Sequence, residues 1–264
     1  MAQEGPLDHR VIAVTGAASG IGGATAQLAA ERGHAVIAVD RDEHAMPTLA
    51  DALPAQGAPD AIAIAADVTD EDAVERALDE AVAAVGVPTG AVCCAGVDGG
   101  GVTHEFSTAS FDRLVDVNLR GTFLTCRSVI RHQLEAGKPG ALVCISSVLA
   151  SVATPGGSAA YCASKGGVAS LVRSLAVEYA DRGIRINALA PGATETPLMW
   201  APVKPEDMAE MRAQVNGEIP LGRLADPEEQ GSAALWLLSD EARYVTGSEL
   251  AVDGGVLARA SLSV

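Results

Sequence analysis

The chain has 264 residues, 48% of them apolar and only 3% aromatic, with 28 glycines. That length suits one large domain or two small ones, with a core assembled from small, closely packed side chains. A formal net charge of −16, with no Lys/Arg run, lacks the basic field of a duplex nucleic-acid binder and disfavours a polyanionic partner.

In chain order, RVIAVTG is a strand candidate that ends in glycine, and GIGGATAQLAAERG follows as a helix closed by Gly33. AVIAVD and AIAIAADV are the second and third strands, with a short helix over 43–53 between them. Over 70–84, Val74, Leu78, Ala81 and Val82 share one helical face. TGAVCCAG is the fourth strand, 111–136 a long, partly amphipathic helix, and GALVCISS the fifth strand. A helix over 160–181, the strand GIRINALAPG, a helix near 227–238 and the short strand SELAVDGG complete the pattern. Only 193–220 breaks the alternation. It holds four prolines (Pro197, Pro202, Pro205, Pro220) and Trp200. Lying after a strand's carboxyl end, it reads as a mobile cover over a ligand. Alternation without a linker predicts a single α/β domain over 1–264. Its sheet is expected to be parallel and doubly wound, of about seven strands, with helices on both faces.

The cysteines are Cys93, Cys94, Cys126, Cys144 and Cys162. Their spacing fits no metal motif, so no metal is expected and they read as buried free thiols of a reducing compartment. MAQEGPLDHR has no apolar signal core and no 18-residue apolar run occurs, so the chain reads as cytoplasmic, with nothing cleaved and no membrane partner.

TGAASGIG, Thr15 to Gly22, joins the first strand to the first helix. Free N–H groups at a helix start, with the helix dipole, suit a phosphate. Gly16 permits the turn, Gly20 admits a pyrophosphate to the backbone, and Gly22 lets the helix approach the sheet; Ser19 and Ile21 complete the loop. Asp40 ends the second strand, 18 residues past Gly22. A carboxylate there accepts from both ribose hydroxyls and repels a 2′-phosphate. Ser19 stands where a basic residue would have signalled NADP, so the cofactor expected of this Rossmann-like fold is NAD. Arg41 is the residue that speaks for NADP.

Tyr161 and Lys165 are four apart on one helical face. A phenol has an ordinary pKa near about 10, which a nearby ammonium is expected to lower. Ala163, Gly166 and Gly167 leave room beside them for a flat ligand. Ser146 and Ser147 end the fifth strand, where a hydroxyl reaches a carbonyl or alcohol oxygen. Ser147 is preferred, because neighbouring strand side chains face opposite ways. The Asn118 amide can hold backbone or a water chain. Ala95–Gly96 and Pro191–Gly192 bring backbone to the same edge.

With TGAASGIG, CCAG, the Asn of DVNLRG, ISS before YCASK, PGATETP and VTGSELAVDGG, the chain resembles the classical short-chain dehydrogenase/reductase family over essentially its full length. The resemblance implies Ser147, Tyr161 and Lys165 as a catalytic triad, with Asn118 as a fourth member that relays a proton through water. It implies Asp67 and Val68 on the adenine side, Lys165 on the nicotinamide ribose, and Thr196, or else Thr194, on the carboxamide. The implied reaction is reversible hydride transfer between NAD(H) and a secondary alcohol or ketone, with Tyr161 as base or acid. Leu149, Val152, Asp98, His104 and residues 198–215 are candidates for the substrate wall. Met199 and Trp200 suggest an apolar, cyclic or aromatic substrate. A homotetramer, or else a homodimer, is implied through the helices at 111–136 and 160–181.

Two departures stand out. Cys93–Cys94 replaces the family's usual pair of asparagines, and Ser147 lies 14 residues before Tyr161, one more than is common. An NADPH-linked ketone or 3-oxoacyl-thioester reductase is the second enzyme reading. A non-catalytic dinucleotide sensor or scaffold is the reading from another class.

Overall fold

The computed structural model describes residues 10–259. The reading of the first residues as leaderless, and any contact made by the last five, lie outside the described residues. Seven short apolar runs form β1 (Val11–Thr15), β2 (Ala35–Asp40), β3 (Ala61–Ala65), β4 (Gly90–Cys93), β5 (Gly140–Ile145), β6 (Ile184–Pro191) and β7 (Glu249–Val252). They make one sheet in the order β3-β2-β1-β4-β5-β6-β7, and every pair is parallel. The chain runs outward from β1 to β3, then returns to lay β4 against β1. That reversal opens a crevice at the carboxyl ends of β1 and β4, where such sheets bind ligands.

Successive strand residues face opposite layers. Ala13, Ala91, Cys93, Leu142 and Cys144 point to the side covered by α3 (Glu71–Val85), α5 (Gly121–Glu135) and α6 (Ala159–Tyr179). Ile12, Val14, Val92, Val143 and Ile145 point to the other, covered by α1 (Gly20–Glu31), α2 (Met46–Ala55) and α9 (Pro227–Leu238). This is the single-domain, Rossmann-like α/β sandwich expected from the alternation. At Gly22 a Cβ would stand 2.1 Å from the Gly16 carbonyl oxygen, so only glycine lets α1 start this close to the turn.

Two expectations change. The single helix expected over 111–136 begins earlier, as α4 (Thr108–Val115), capped by Ser107, whose hydroxyl accepts from Ser110 N–H at 3.1 Å. A five-residue π turn, Asp116–Arg120, then widens it before α5. The irregular stretch 193–220 holds two helices, α7 (Pro197–Trp200) and α8 (Met208–Glu218). Among its described residues α8 buries none, so it lacks the apolar stripe that would reveal it. No described helix is long and apolar enough to cross a membrane.

Candidate active site

The glycine loop is built by backbone conformation. Gly16 and Gly20 have φ of +69° and +55°, a region that side-chain-bearing residues avoid. A Cβ on Gly16 would lie 2.8 Å from the Ala95 nitrogen, so the loop rests directly on the end of β4. Ser19 occupies the N-cap of α1 with extended backbone and no side-chain cap bond, and Ile21 follows it half-buried. Thr15 ties the two strand ends together, its hydroxyl accepting from Cys94 N–H at 3.1 Å and Ala95 N–H at 3.3 Å.

Asp40 closes the floor of this loop. Its Oδ2 accepts from Ala18 N–H at 3.0 Å and its Oδ1 from Asp42 N–H at 3.1 Å. Asp67 is held in the same manner, accepting from Thr69 N–H and Thr69 Oγ1, both at 2.8 Å. Val68 is buried against α5, close enough that a Cβ on Gly121 would meet its Cγ2 at 2.7 Å. Arg41 is exposed and lines a surface cavity with Asp67, Thr69, Arg113 and Asp116.

The polar residues singled out in the sequence converge beside β4 and β5. Asn118, at the centre of the π turn, is fully buried. Its Oδ1 accepts from Val97 N–H at 2.8 Å, and its Nδ2 donates to Val97 O and Ser164 Oγ, both at 3.0 Å. The amide therefore holds backbone and helix α6; its donors and acceptor are committed there. Ser164 in turn donates to the Tyr161 carbonyl at 2.8 Å, joining the π turn to the helical turn that carries the phenol. Ser164 went unrecognised because a small hydroxyl inside a helix resembles ordinary back-bonding.

Lys165 is buried and donates from Nζ to the Ile145 carbonyl at 2.8 Å. Gly96 lies against it: a Cβ there would be 3.5 Å from Nζ and 3.2 Å from Asn118 Oδ1. The two serines separate as strand alternation requires. Ser146 donates to the Lys165 carbonyl at 3.3 Å, whereas the Ser147 hydroxyl accepts from Leu149 N–H at 3.1 Å and lies near enough to the Tyr161 phenol to lower its pKa.

The expected depression of the phenol is absent. Burial pushes Tyr161 up to about 12, the Asp98 charge adds to the rise, and the nearby Ser147 hydroxyl opposes it. Lys165 sits 5.8 Å from the ring centroid, and burial brings its own ammonium down to about 8. In this geometry its attraction does not offset the desolvation of the phenolate.

The loop after β6 completes the edge. Pro191 is buried at the strand end, and Gly192 donates to Val252 O at 3.0 Å. Thr194 is buried; its hydroxyl donates to Gly192 O at 3.0 Å and accepts from Gln230 Nε2 at 3.3 Å. Thr196 caps α7, accepting from Met199 N–H at 3.3 Å, and its Cγ2 lies 3.3 Å from where a Gly20 Cβ would stand. The β6 loop thus meets the first glycine loop. Between the threonines, Glu195 accepts from Trp200 Nε1 at 2.6 Å and pairs with Arg212 of α8. Arg212 also stacks on the Trp200 ring at 4.8 Å. Hydrogen bonds from Arg212, then from Trp200, hold the Glu195 carboxyl below its ordinary range. Sequence reading missed this clasp; a carboxylate flanked by two candidate threonines was its only signal. Of the other wall candidates, Asp98 lies near enough to act on the phenol, while His104 is exposed and pairs with Glu105 at 3.4 Å.

Comparison with known proteins agrees with this architecture. The family described as Enoyl-(Acyl carrier protein) reductase matches residues 16–257. A cis-4-hydroxycyclohexanecarboxylate dehydrogenase from Sinomonas cyclohexanicum is 44% identical, over 95% of this chain and 97% of that protein. A 3beta-hydroxysteroid dehydrogenase 1 from Eggerthella lenta is 40% identical, over 95% and 94%. A crystal structure of a short-chain type dehydrogenase/reductase from Mycobacterium marinum superposes with a TM-score of 0.89 at 33% identity, covering 96% of this chain and 97% of that one. With the matched region spanning nearly the whole fold and its glycine-lined crevice, the chain is an oxidoreductase that belongs to the short-chain dehydrogenase/reductase family.

Proposed function

We propose that the protein interconverts an apolar, cyclic secondary alcohol and its ketone, with NAD(H) as the cofactor and Tyr161 as the proton-transfer group. The observation that carries this reading is the convergence of buried Ser147 and buried Lys165 on Tyr161 at the crevice edge, with Lys165 Nζ 5.8 Å from the phenol ring centroid and anchored on the Ile145 carbonyl.

The dinucleotide fits the residues present. The loop Gly16–Gly22 offers backbone where any Cβ at Gly16 or Gly22 would collide, and Asp40 offers a carboxylate fixed by two N–H donors. Gly16, Ser19, Gly20, Ile21 and Gly22 would hold the pyrophosphate, and Asp40 the adenine ribose. Asp67 and Val68 would flank the adenine, Ala95 and Gly96 the crevice floor, and Pro191, Gly192, Thr194 and Thr196 the nicotinamide end. Thr196 is favoured over Thr194 for the carboxamide, since the Thr194 hydroxyl already donates to Gly192. Bound there, the nicotinamide supplies a hydride acceptor or donor.

The side chains do the rest. Ser147 orients the substrate oxygen and steadies its developing charge. Tyr161, whose phenol is pushed up to about 12, is protonated at neutral pH and is poised to protonate a carbonyl oxygen. In the alcohol-oxidising direction it must first release that proton, so oxidation should rise with pH. Lys165 would hold the nicotinamide ribose, and Asn118 acts as a positioning residue through Val97 and Ser164. Residues 193–220 serve as the substrate cover, with Met199 and Trp200 toward an apolar ligand. Two relatives named for ring alcohols support the cyclic substrate. The free thiols favour a cytoplasmic setting. Exposed Phe123 and Leu134 on α5 and Val177 on α6 support pairing through those helices, with a homotetramer preferred to a homodimer. An NADPH-linked ketone or 3-oxoacyl-thioester reductase is the second reading, favoured by exposed Arg41.

A turnover screen with NAD(H) and NADP(H) over cyclic and aliphatic alcohols and ketones tests the proposal. Tyr161→Phe should abolish turnover and leave NADH binding intact. Equal turnover by wild type and that variant, or a tenfold preference for NADPH, would overturn it.

A further inference from the structure

Three of the five cysteines form a cluster that the reaction does not use. Cys93 of β4 and Cys144 of β5 are register partners on adjacent strands, so both side chains leave the same face of the sheet. Cys126 of α5 packs over them. Its Sγ lies 3.7 Å from Cys93 Sγ and 3.5 Å from Cys144 Sγ, and all three sulfurs fall within 4.8 Å of one another. The residues are at most 2% exposed and sit in the apolar α3/α5/α6 layer. One of them, Cys93, stands where the resemblance leads one to expect an asparagine.

We propose that Cys93, Cys126 and Cys144 form a closed site for one soft, three-coordinate metalloid, for which arsenic(III), arriving as neutral arsenous acid, is the matching ligand. Size and charge carry the argument. A centre bonded to sulfur at about 2.3 Å sets its sulfurs about 3.4–4.0 Å apart, for pyramidal to planar geometry. The two shorter sides of this triangle already lie in that range. Zinc asks for a fourth ligand, and no fourth His, Cys, Asp or Glu joins the cluster among the described residues. Copper(I) accepts three thiolates but leaves two negative charges in an apolar layer. Lys165, whose field reaches Cys144, offsets at most one of them, and uncompensated buried charge is costly.

Arsenous acid avoids that cost. Three As–O bonds break and three As–S bonds form. The three thiol protons leave with the three hydroxides as water, arsenic stays trivalent, and the product is neutral. Because the thiols are closed off, entry requires local opening of α5 from the sheet, so the adduct should form slowly and faster in low urea.

The test is intact mass spectrometry of reduced, folded protein after incubation with arsenous acid, with and without low urea, followed by peptide mapping of the adduct. One arsenic replacing three hydrogens is expected, mapped to Cys93, Cys126 and Cys144. Cys94→Ser and Cys162→Ser should retain it, and Cys126→Ser should lose it. The mapping on wild type decides the matter even if Cys126→Ser fails to fold. No adduct under either condition, or an adduct mapped to Cys94 or Cys162, would overturn the proposal.

Discussion

Replacing Asn118 by alanine should separate a positioning role from a purely local one. The amide is fully buried and makes three hydrogen bonds, two to Val97 and one to Ser164. Alanine strips partners from the Val97 N–H and C=O and leaves Ser164 with only its bond to the Tyr161 carbonyl. A buried polar group left unpaired costs about 1–3 kcal/mol. Val97 is half-buried, so water recovers part of the loss, and the net destabilisation should be about 2–4 kcal/mol. At about 2–4 °C per kcal/mol for a chain of this size, the midpoint should fall by about 5–15 °C. Thermal unfolding by circular dichroism gives that number, and amide exchange at Val97 reports whether its N–H is released. Turnover at temperatures where the variant is folded should drop in kcat with little change in KM, because the Tyr161 turn loses its tie to the π turn. Asn118→Asp, which keeps the acceptor for Val97 N–H but turns a buried carboxylate oxygen on the Val97 carbonyl, should cost at least as much as alanine. A midpoint within about 2 °C of wild type, together with unchanged kcat, would refute the reasoning.

Gly22→Ala should abolish NADH binding and cost at least about 1–3 kcal/mol, since its Cβ would sit 2.1 Å from Gly16 O; fluorescence titration and melting check both. Gly217→Ala, in α8 with nothing within 4 Å of the added Cβ, should instead stabilise by about 0.5–1 kcal/mol. Burial lowers Lys165 to about 8 from 10.5. At Lys165 the unfolded chain therefore binds more protons between those values, and this residue's own contribution to stability should grow by about 3 kcal/mol as pH rises through that window, against the opposite trend of Tyr161 and Cys94. Urea unfolding of Lys165→Met should lack this rise; an unchanged pH profile would remove the claim. Glu195→Ala should unfasten Trp200 and Arg212, raising substrate KM and speeding tryptic cleavage at Arg212, with little change in overall stability because the pair is partly exposed. Unaltered KM and cleavage would show that the clasp does not govern the cover.

How much of this was legible depends on the range of the interactions involved. The strands announce themselves through short apolar runs ending in glycine, and the Tyr161–Lys165 pair through spacing that any helix converts into one face. Asp40 is legible because it ends a strand beside a glycine loop. The π turn at Asn118 is not, since no residue type distinguishes it from the helix on either side. Helix α8 hides because it buries nothing. The height of the Tyr161 pKa depends on how many atoms surround the phenol, a three-dimensional quantity that an i,i+4 pattern does not contain. The thiol triangle is the extreme case. Its members are 33 and 18 residues apart, and only the β4–β5 register and the seat of α5 make them neighbours.

The Asp40 carboxylate is also a strut. Its two oxygens fasten the Ala18 amide of one turn and the Asp42 amide of the next. Replacing it with a smaller residue to welcome a phosphorylated ribose would therefore unfasten both turns at once. Engineering this site to accept a 2′-phosphate requires a new acceptor for Ala18 as well as a new cation. Without that acceptor, a broadened preference should come with a slacker grip on either coenzyme.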